Sequence, residues 1–392
     1  MIKSFFPPSR TLMGPGPSDV SPRVLAAMAR NTIGHLDPAF VSMMDEVKEM
    51  LQTIFKTSNA LTMPISAPGS AGMECCFVNL IEPGDTVIVC QNGVFGTRMA
   101  ENVTRLGGKL VLVKDDWGSP VSVDKVEQAL KDNPDTKLLA FVHAETSTGA
   151  RSDAKTLCAL ATSAHVLSIV DAVTSLGGIE VDVDGWGIDA IYSGTQKCLS
   201  CTPGISPVSF SDRAVEKIKN RTVPVSSWFL DTNLVMGYWG AGAKRAYHHT
   251  APVNALYALH ESLVMVLEEG LDNAWARHEL NHEALAAGVE AMGLAFVVEK
   301  NSRLPQLNSI TIPEGVDEAK VRGLLLENYS LEIGAGLGAL AGKVWRVGLM
   351  GESSSRRNVL YFLSSLENTF SELNVDVAYG VAVKSALAIY ES

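Results

Sequence analysis

Up to residue 270, short β-branched runs alternate with amphipathic stretches. This is the pattern of a parallel sheet covered by helices on both faces, because strands buried on both sides read as continuous apolar runs. The expected strands are Thr86–Cys90, Leu110–Val113, Leu138–Val142, Leu167–Val170, Ala190–Tyr192 and Val208–Phe210. Helical stretches at Phe95–Leu106, Val123–Asn133 and Asp153–Ala164 lie between them, and Pro83-Gly84, Gly107-Gly108 and Gly177-Gly178 mark turns.

Past residue 250 the period changes. Pro252–Gly270 and Leu271–Met292 read as two long helices, the second with Leu271, Trp275, Leu285, Val289 and Met292 along one stripe. Strand-like Ala295–Val298 and Leu307–Ile312, a helix at Glu318–Leu326 and a strand at Lys343–Val347 then suggest a small α+β unit. The expected division is an N-terminal segment (1–20) packing on the large domain or a partner subunit, a large α/β domain (21–270) and a small C-terminal domain (271–392).

Composition narrows the function classes. With 46% hydrophobic and 19% charged residues among 392, the chain can build a sizeable core. Acidic residues (43) outnumber basic ones (32), for a net charge of −11, so no nucleic-acid partner is expected. No uncharged apolar run reaches the roughly 18 residues of a membrane span. The opening stretch MIKSFFPPSRTLMGPGP has two prolines where a secretory signal needs an apolar run. Cys75, Cys76, Cys90, Cys158, Cys198 and Cys201 include a single CxxC and read as free thiols of a reduced, cytoplasmic protein.

Open α/β sheets bind ligands at the carboxyl ends of their strands, and four clusters lie where that rule directs attention. Ser66-Ala-Pro-Gly69-Ser70-Ala71-Gly72 opens the apolar helical stretch Met73–Leu80; its exposed N–H groups suit a phosphate, or Ser70 is an ordinary N-cap. Asp171 ends the apolar run Leu167–Val170 and needs a partner there: a protonated ring nitrogen, a salt bridge or a helix start. Lys197 follows the strand Ala190–Tyr192 among small and polar residues, where a lowered ammonium pKa makes it an amine nucleophile able to form a Schiff base. Arg346 shares a strand face with Val344 and is either paired internally or free to hold a substrate carboxylate bidentately.

Seven motifs in order carry a resemblance over nearly the whole chain. They are GPGPS (Gly14–Ser18), PGSAGME (Pro68–Glu74), HAETSTG (His143–Gly149), VDAVTSLGG (Val170–Gly178), YSGTQK (Tyr192–Lys197), YHHT (Tyr247–Thr250) and GKVWRVG (Gly342–Gly348). With them the chain resembles the class V aminotransferases of the alanine–glyoxylate and serine–glyoxylate type. The resemblance implies the fold-type I scaffold of enzymes dependent on pyridoxal 5′-phosphate. That scaffold has a large domain with a mostly parallel seven-stranded sheet sandwiched by helices, and a small C-terminal α+β domain. It further implies Lys197 as the Schiff-base lysine and Asp171 as the partner of the pyridine nitrogen. Val173 would pack under the ring, Phe95 would stack on its other face and Thr146 would hydrogen-bond the ring oxygen. Gly69, Ser70, Ala71 and Gln196 would hold the phosphate, joined by Tyr247 and Thr250 from the other subunit of a homodimer with shared active sites. Arg346 would clamp the substrate carboxylate.

Two positions depart from the best-known animal members, which carry tryptophan at Phe95 and serine at Thr146; both changes keep the stacking or hydroxyl role. The implied reaction moves an amino group from alanine or serine to glyoxylate, with serine–pyruvate or aspartate–glyoxylate specificity as alternatives. A cysteine desulfurase of the same class needs a loop cysteine, and none lies between residues 300 and 392. From another class altogether, His278-Glu279-x-x-His282 matches the zinc-peptidase pattern, yet both histidines fall on the apolar stripe and no third ligand is indicated. No metal is expected. Gly334-Ala-Gly336-Leu-Gly338-Ala339 looks superficially like a dinucleotide fingerprint, but without a βαβ unit it reads as a mobile active-site loop. Asp182, Asp184 and Asp189 lack calcium-loop spacing and are expected to cap turns.

Overall fold

Seven apolar segments form one sheet in the computed structural model, which describes residues 2–240 and 245–392. They are β1 (Leu61–Ile65), β2 (Thr86–Gln91), β3 (Lys109–Lys114), β4 (Thr136–Val142), β5 (Leu167–Asp171), β6 (Ala190–Tyr192) and β7 (Ser206–Phe210). The order is β1-β7-β6-β5-β4-β2-β3, parallel throughout except that β7 runs antiparallel to both neighbours. Six strands match expectation to within two residues at either end. The seventh, β1, was not expected because Pro64 interrupts its apolar run; it lies on the sheet edge, where a residue without an N–H is tolerated.

Helices cover both faces. Those that bear on the site are α1 (Gly69–Leu80), α2 (Val94–Arg105), α3 (Val253–Glu269) and α4 (Leu271–Ala291). Further on, β8 (Leu307–Thr311), β9 (Gly334–Ala335) and β10 (Val344–Gly348) form a small antiparallel sheet with β10 in the middle. The run Ala295–Val298 does not become a strand; it contributes only an isolated bridge from Phe296 to Ile310. Nor is Gly334–Ala339 wholly a loop, since Gly334 and Ala335 pair with Arg346 and Trp345.

Apolar side chains from Val24 to Leu263 make one continuous core against the large sheet. A second core gathers Trp345, Phe362 and Phe370, and takes Met13 from the N-terminal segment. That segment is held at both ends of its path. Thr11–Leu12 pairs with Leu331–Glu332, while Ser18 Oγ donates to the Lys197 carbonyl at 2.8 Å.

Close packing of α1 on the sheet depends on Gly72. A Cβ there would overlap the Ser206 hydroxyl on β7 and stand 3.2 Å from Tyr192 Cβ on β6. Gly72→Val is expected to lower stability by about 1–3 kcal/mol through overpacking, read as a lower thermal or urea midpoint. An unmoved midpoint would mean that α1 does not sit this tightly.

Candidate active site

Strands β4, β5 and β6 deliver their following segments to one end of the sheet. Asp171 is the last residue of β5 and is 2% exposed. Its Oδ1 accepts the Val173 N–H at 2.8 Å, and its Oδ2 accepts the Tyr192 hydroxyl at 2.7 Å. Tyr192 ends β6 in direct register with Asp171. Burial pushes the Asp171 acid up to about 7, against both hydrogen bonds, which favour the charged form. Among the described residues its partners are a buried phenol and a backbone amide, not a salt bridge or a helix start.

Lys197 lies in the segment after β6 and is buried. Its Nζ donates to the Pro15 carbonyl. Burial, aided by the positive charge of Arg346, holds the ammonium down to about 8. Arg346, on β10, is 6% exposed. Its Nε donates to the Ala335 carbonyl at 2.7 Å and Nη1 to the Thr146 carbonyl at 3.0 Å. Among the described residues no carboxylate forms an ion pair with it, and burial lowers its guanidinium to about 10.

The N-terminus of α1 is open. Pro68 occupies the cap position, so no side chain caps the first turn, and Ser70 stands exposed inside the helix. Gly69 lies so close to the neighbouring loops that a Cβ would meet Val173 Cγ2 at 3.4 Å and Gly194 Cα at 3.6 Å. Ala71 follows in the same turn. Gln196 Oε1 is buried without a protein partner. Phe95, in the first turn of α2, is half-buried, with the Arg98 guanidinium 4.9 Å from its ring centroid. Thr146 is buried and directly follows Glu145, whose carboxylate accepts the Phe95 N–H at 3.1 Å.

Tyr247 and Thr250 are not brought in. Both are exposed, although their neighbour His249 is tied to the α1 approach by a 2.8 Å hydrogen bond to Ser66 Oγ. The histidines of the zinc-like pattern are engaged elsewhere. His278 uses both ring nitrogens, at 2.6 Å to the Ala274 carbonyl and 2.9 Å from the Gly351 N–H. His282 bonds Asn308, and Glu279 is exposed on a different face of α4. Asp182 caps the short helix Val183–Trp186, while Asp184 and Asp189 accept hydrogen bonds from Ser58 and Ser168.

A family model for class V aminotransferases matches residues 17–357. The chain belongs to that family. Among its relatives, the alanine–glyoxylate aminotransferase of Callithrix jacchus is 39% identical over 92% of this chain and 87% of its own. The structure of ureidoglycine–glyoxylate aminotransferase from Bacillus subtilis superposes with a TM-score of 0.97, at 38% identity and full coverage of both chains. That of alanine–glyoxylate aminotransferase from Nostoc sp. gives 0.92, at 44% identity, covering 94% and 97%. This aminotransferase is therefore a transferase that works with pyridoxal 5′-phosphate. The residues present fit that coenzyme: an uncapped helix N-terminus for a phosphate, an orphaned Gln196 oxygen, a buried acid and a buried amine.

Three neighbours of the site escape sequence reasoning: Tyr192, Glu145 and Pro15. Tyr192 and Glu145 stand inside motifs already singled out, but their targets are set by strand register and by a contact 50 residues away. The signal that could have found Tyr192 is its place at the end of the strand after Asp171.

Asp171 should leave a signature in coenzyme-free protein. Its acid titrates at about 7 when folded against an ordinary 3.8 when unfolded, so the neutral acid favours folding. That contribution is complete below about 4 and is lost as the pH rises through about 7. The wild type is expected to lose thermal margin over Asp171→Asn between about pH 5 and pH 8; a constant margin would show that Asp171 is already ionised.

Proposed function

We propose that this aminotransferase moves an amino group from a small L-amino acid, alanine or serine, to glyoxylate, yielding glycine and a 2-keto acid. The observation that carries the reading is Arg346: a buried guanidinium with no acid partner among the described residues, close enough to Lys197 for its charge to be felt there. Such a group suits a substrate carboxylate, which it can take in a paired, charge-assisted contact. Glyoxylate as acceptor is supported by the names of both kinds of relative. A second donor, (S)-ureidoglycine, is favoured by the full-length match to the Bacillus subtilis structure.

When bound, pyridoxal phosphate supplies an electrophilic carbonyl and an electron-withdrawing ring that make the Cα–H of an amino acid acidic. In our assignment Lys197 anchors the coenzyme through Nζ. Its amine would serve as the general base for the substrate Cα proton and as the general acid that gives the proton back; its lowered basicity suits both roles near neutrality. Asp171 would keep a proton on the ring nitrogen, Phe95 and Val173 would hold the ring, and the Thr146 hydroxyl would bind its oxygen. Backbone N–H groups of Gly69, Ser70 and Ala71, with Gln196, bind the phosphate.

The same reading extends to assembly and place. Tyr247 (65% exposed) and Thr250 would complete the phosphate site of a second subunit, and exposed Phe5, Phe6 and Trp228 offer apolar surface for the contact. In this division a large domain (21–270) carries the coenzyme, a small one (271–392) carries Arg346, and residues 1–20 strap the two. No helix among the described residues is long and apolar enough to cross a membrane. Six free, buried cysteines suit a reducing cytoplasm.

Lys197→Ala is expected to abolish turnover and the coenzyme label found on that peptide after borohydride reduction; wild-type activity would end the proposal. Arg346→Ala should weaken donor binding by about 1.5–3 kcal/mol, seen as a raised KM. A KM that hardly moves would make Arg346 structural. The deciding measurement for specificity is a panel of alanine, serine, aspartate and (S)-ureidoglycine against glyoxylate and pyruvate. Alanine and serine with glyoxylate should lead, and a preference for pyruvate would overturn the acceptor assignment.

A further inference from the structure

Glu145 is a fully buried carboxylate to which the reading above gives no part. No cation pairs with it among the described residues; it is surrounded instead by donors. Its Oε2 accepts the Phe95 N–H at 3.1 Å. Its Oε1 accepts the Ser147 N–H at 3.0 Å and the Ser147 hydroxyl at 2.6 Å, and Ser147 Oγ in turn accepts the Val94 N–H at 3.0 Å. Val94 and Phe95 begin α2, whose cap residue is Gly93 and whose first turn no local side chain caps. Glu145 and Ser147 thus cap α2 from 50 and 53 residues away, placing negative charge where a helix start favours it. Gly93 makes the approach possible, because a Cβ there would overlap the Glu145 carboxyl carbon.

The cap joins two pieces of the site. Phe95 belongs to α2, whereas Thr146 follows Glu145 directly, and the Thr146 carbonyl receives Arg346 Nη1. The negative charge of Glu145 is felt at Arg346 without a direct ion pair, so it supports the guanidinium without occupying the donors that Ala335 and Thr146 leave free. We propose that Glu145 is a positioning residue: its carboxylate locks the start of α2 to the Thr146 segment, so that Phe95, Thr146 and Arg346 keep one fixed arrangement around coenzyme and substrate. The proposal rests on the coenzyme reading given above.

The test titrates the coenzyme-free forms of wild type, Glu145→Gln, Glu145→Ala and Gly93→Ala with pyridoxal phosphate. Affinity and the visible circular dichroism of the bound coenzyme are followed, with thermal unfolding alongside. Glu145→Ala is expected to bind about tenfold more weakly, as for a lost hydrogen bond to a charged group, with a diminished dichroism band and a raised donor KM. Glu145→Gln, which keeps one acceptor oxygen, should recover part of each effect. Gly93→Ala, which displaces the carboxylate without removing it, should move affinity and dichroism in the same direction. Folded variants with wild-type affinity and dichroism would overturn the proposal. So would a set in which none of the three variants folds, since the group would then serve folding alone. If Glu145→Ala alone fails to fold, the other two decide. Failure of the underlying reading looks different: the wild type itself would carry no borohydride-trapped label on Lys197.

Discussion

Four ionisable side chains, Asp171, Glu145, Lys197 and Arg346, are withdrawn from water around one end of the sheet, and none is ion-paired with another among the described residues. Burying a charge costs several kcal/mol even after relaxation, so this arrangement needs compensation from elsewhere. Much of it comes from the backbone. Asp171 and Glu145 take N–H groups of Val173, Phe95 and Ser147, while Lys197 and Arg346 give to the carbonyls of Pro15, Ala335 and Thr146. Backbone dipoles hold these charges in place without neutralising them. A direct pair between Lys197 and Asp171, or between Arg346 and Glu145, would have spent on the protein what a substrate has to find unspent.

Supplying those dipoles explains features of the fold that otherwise look incidental. Residues 11–18 run from one core to the other. Thr11 and Leu12 extend a ladder with Leu331 and Glu332, Met13 enters the second core, and its carbonyl accepts the Gly348 N–H at the end of β10. Two residues later the same stretch offers the Pro15 carbonyl to the Lys197 amine, and three residues beyond that the Ser18 hydroxyl to the Lys197 backbone. A single covalent path therefore sets the spacing between the strand that carries Arg346 and the segment that carries Lys197. The two groups come from units with separate cores, and the strap adds to the Arg346–Thr146 hydrogen bond in fixing their separation.

What could be read from the chain, and what could not, divides along the same physical line. Strand ends are local, so Asp171 after Leu167–Val170 and Lys197 after Ala190–Tyr192 were visible from apolar runs that stop at a charge. Arg346 was visible as one charge in an apolar alternation, though its lack of an acid partner needed the structure. Pro64 hid β1 because an edge strand is recognised by its neighbours and not by its sequence. Glu145 and Tyr192 were hidden for a related reason: a carboxylate or phenol in a motif says nothing of which amide or acid it will meet across the sheet. Ser70 was a reasonable cap on paper, but the chain enters the helix two residues earlier, through Pro68.

Burial also acts on the acid and the amine together. Ordinary values of 3.8 for Asp171 and 10.5 for Lys197 become about 7 and about 8, so two groups that would normally be charged at every physiological pH now titrate beside one another. Both shifts have desolvation as their largest cause. A proton placed at this end of the sheet can then be moved near neutrality at small free-energy cost, which is the condition under which general acid–base chemistry is efficient. Tyr192 limits the effect on one side: its hydroxyl, donated to Asp171 Oδ2, favours the carboxylate and keeps that acid from drifting further upward. Arg346 sharpens it on the other, since its positive charge disfavours a second cation at Lys197. Arg346 and Lys197 are thus electrostatically coupled: in the roles proposed for them, neutralising the guanidinium with a bound substrate carboxylate would remove that push and make the neighbouring amine a stronger base when a Cα proton came within its reach.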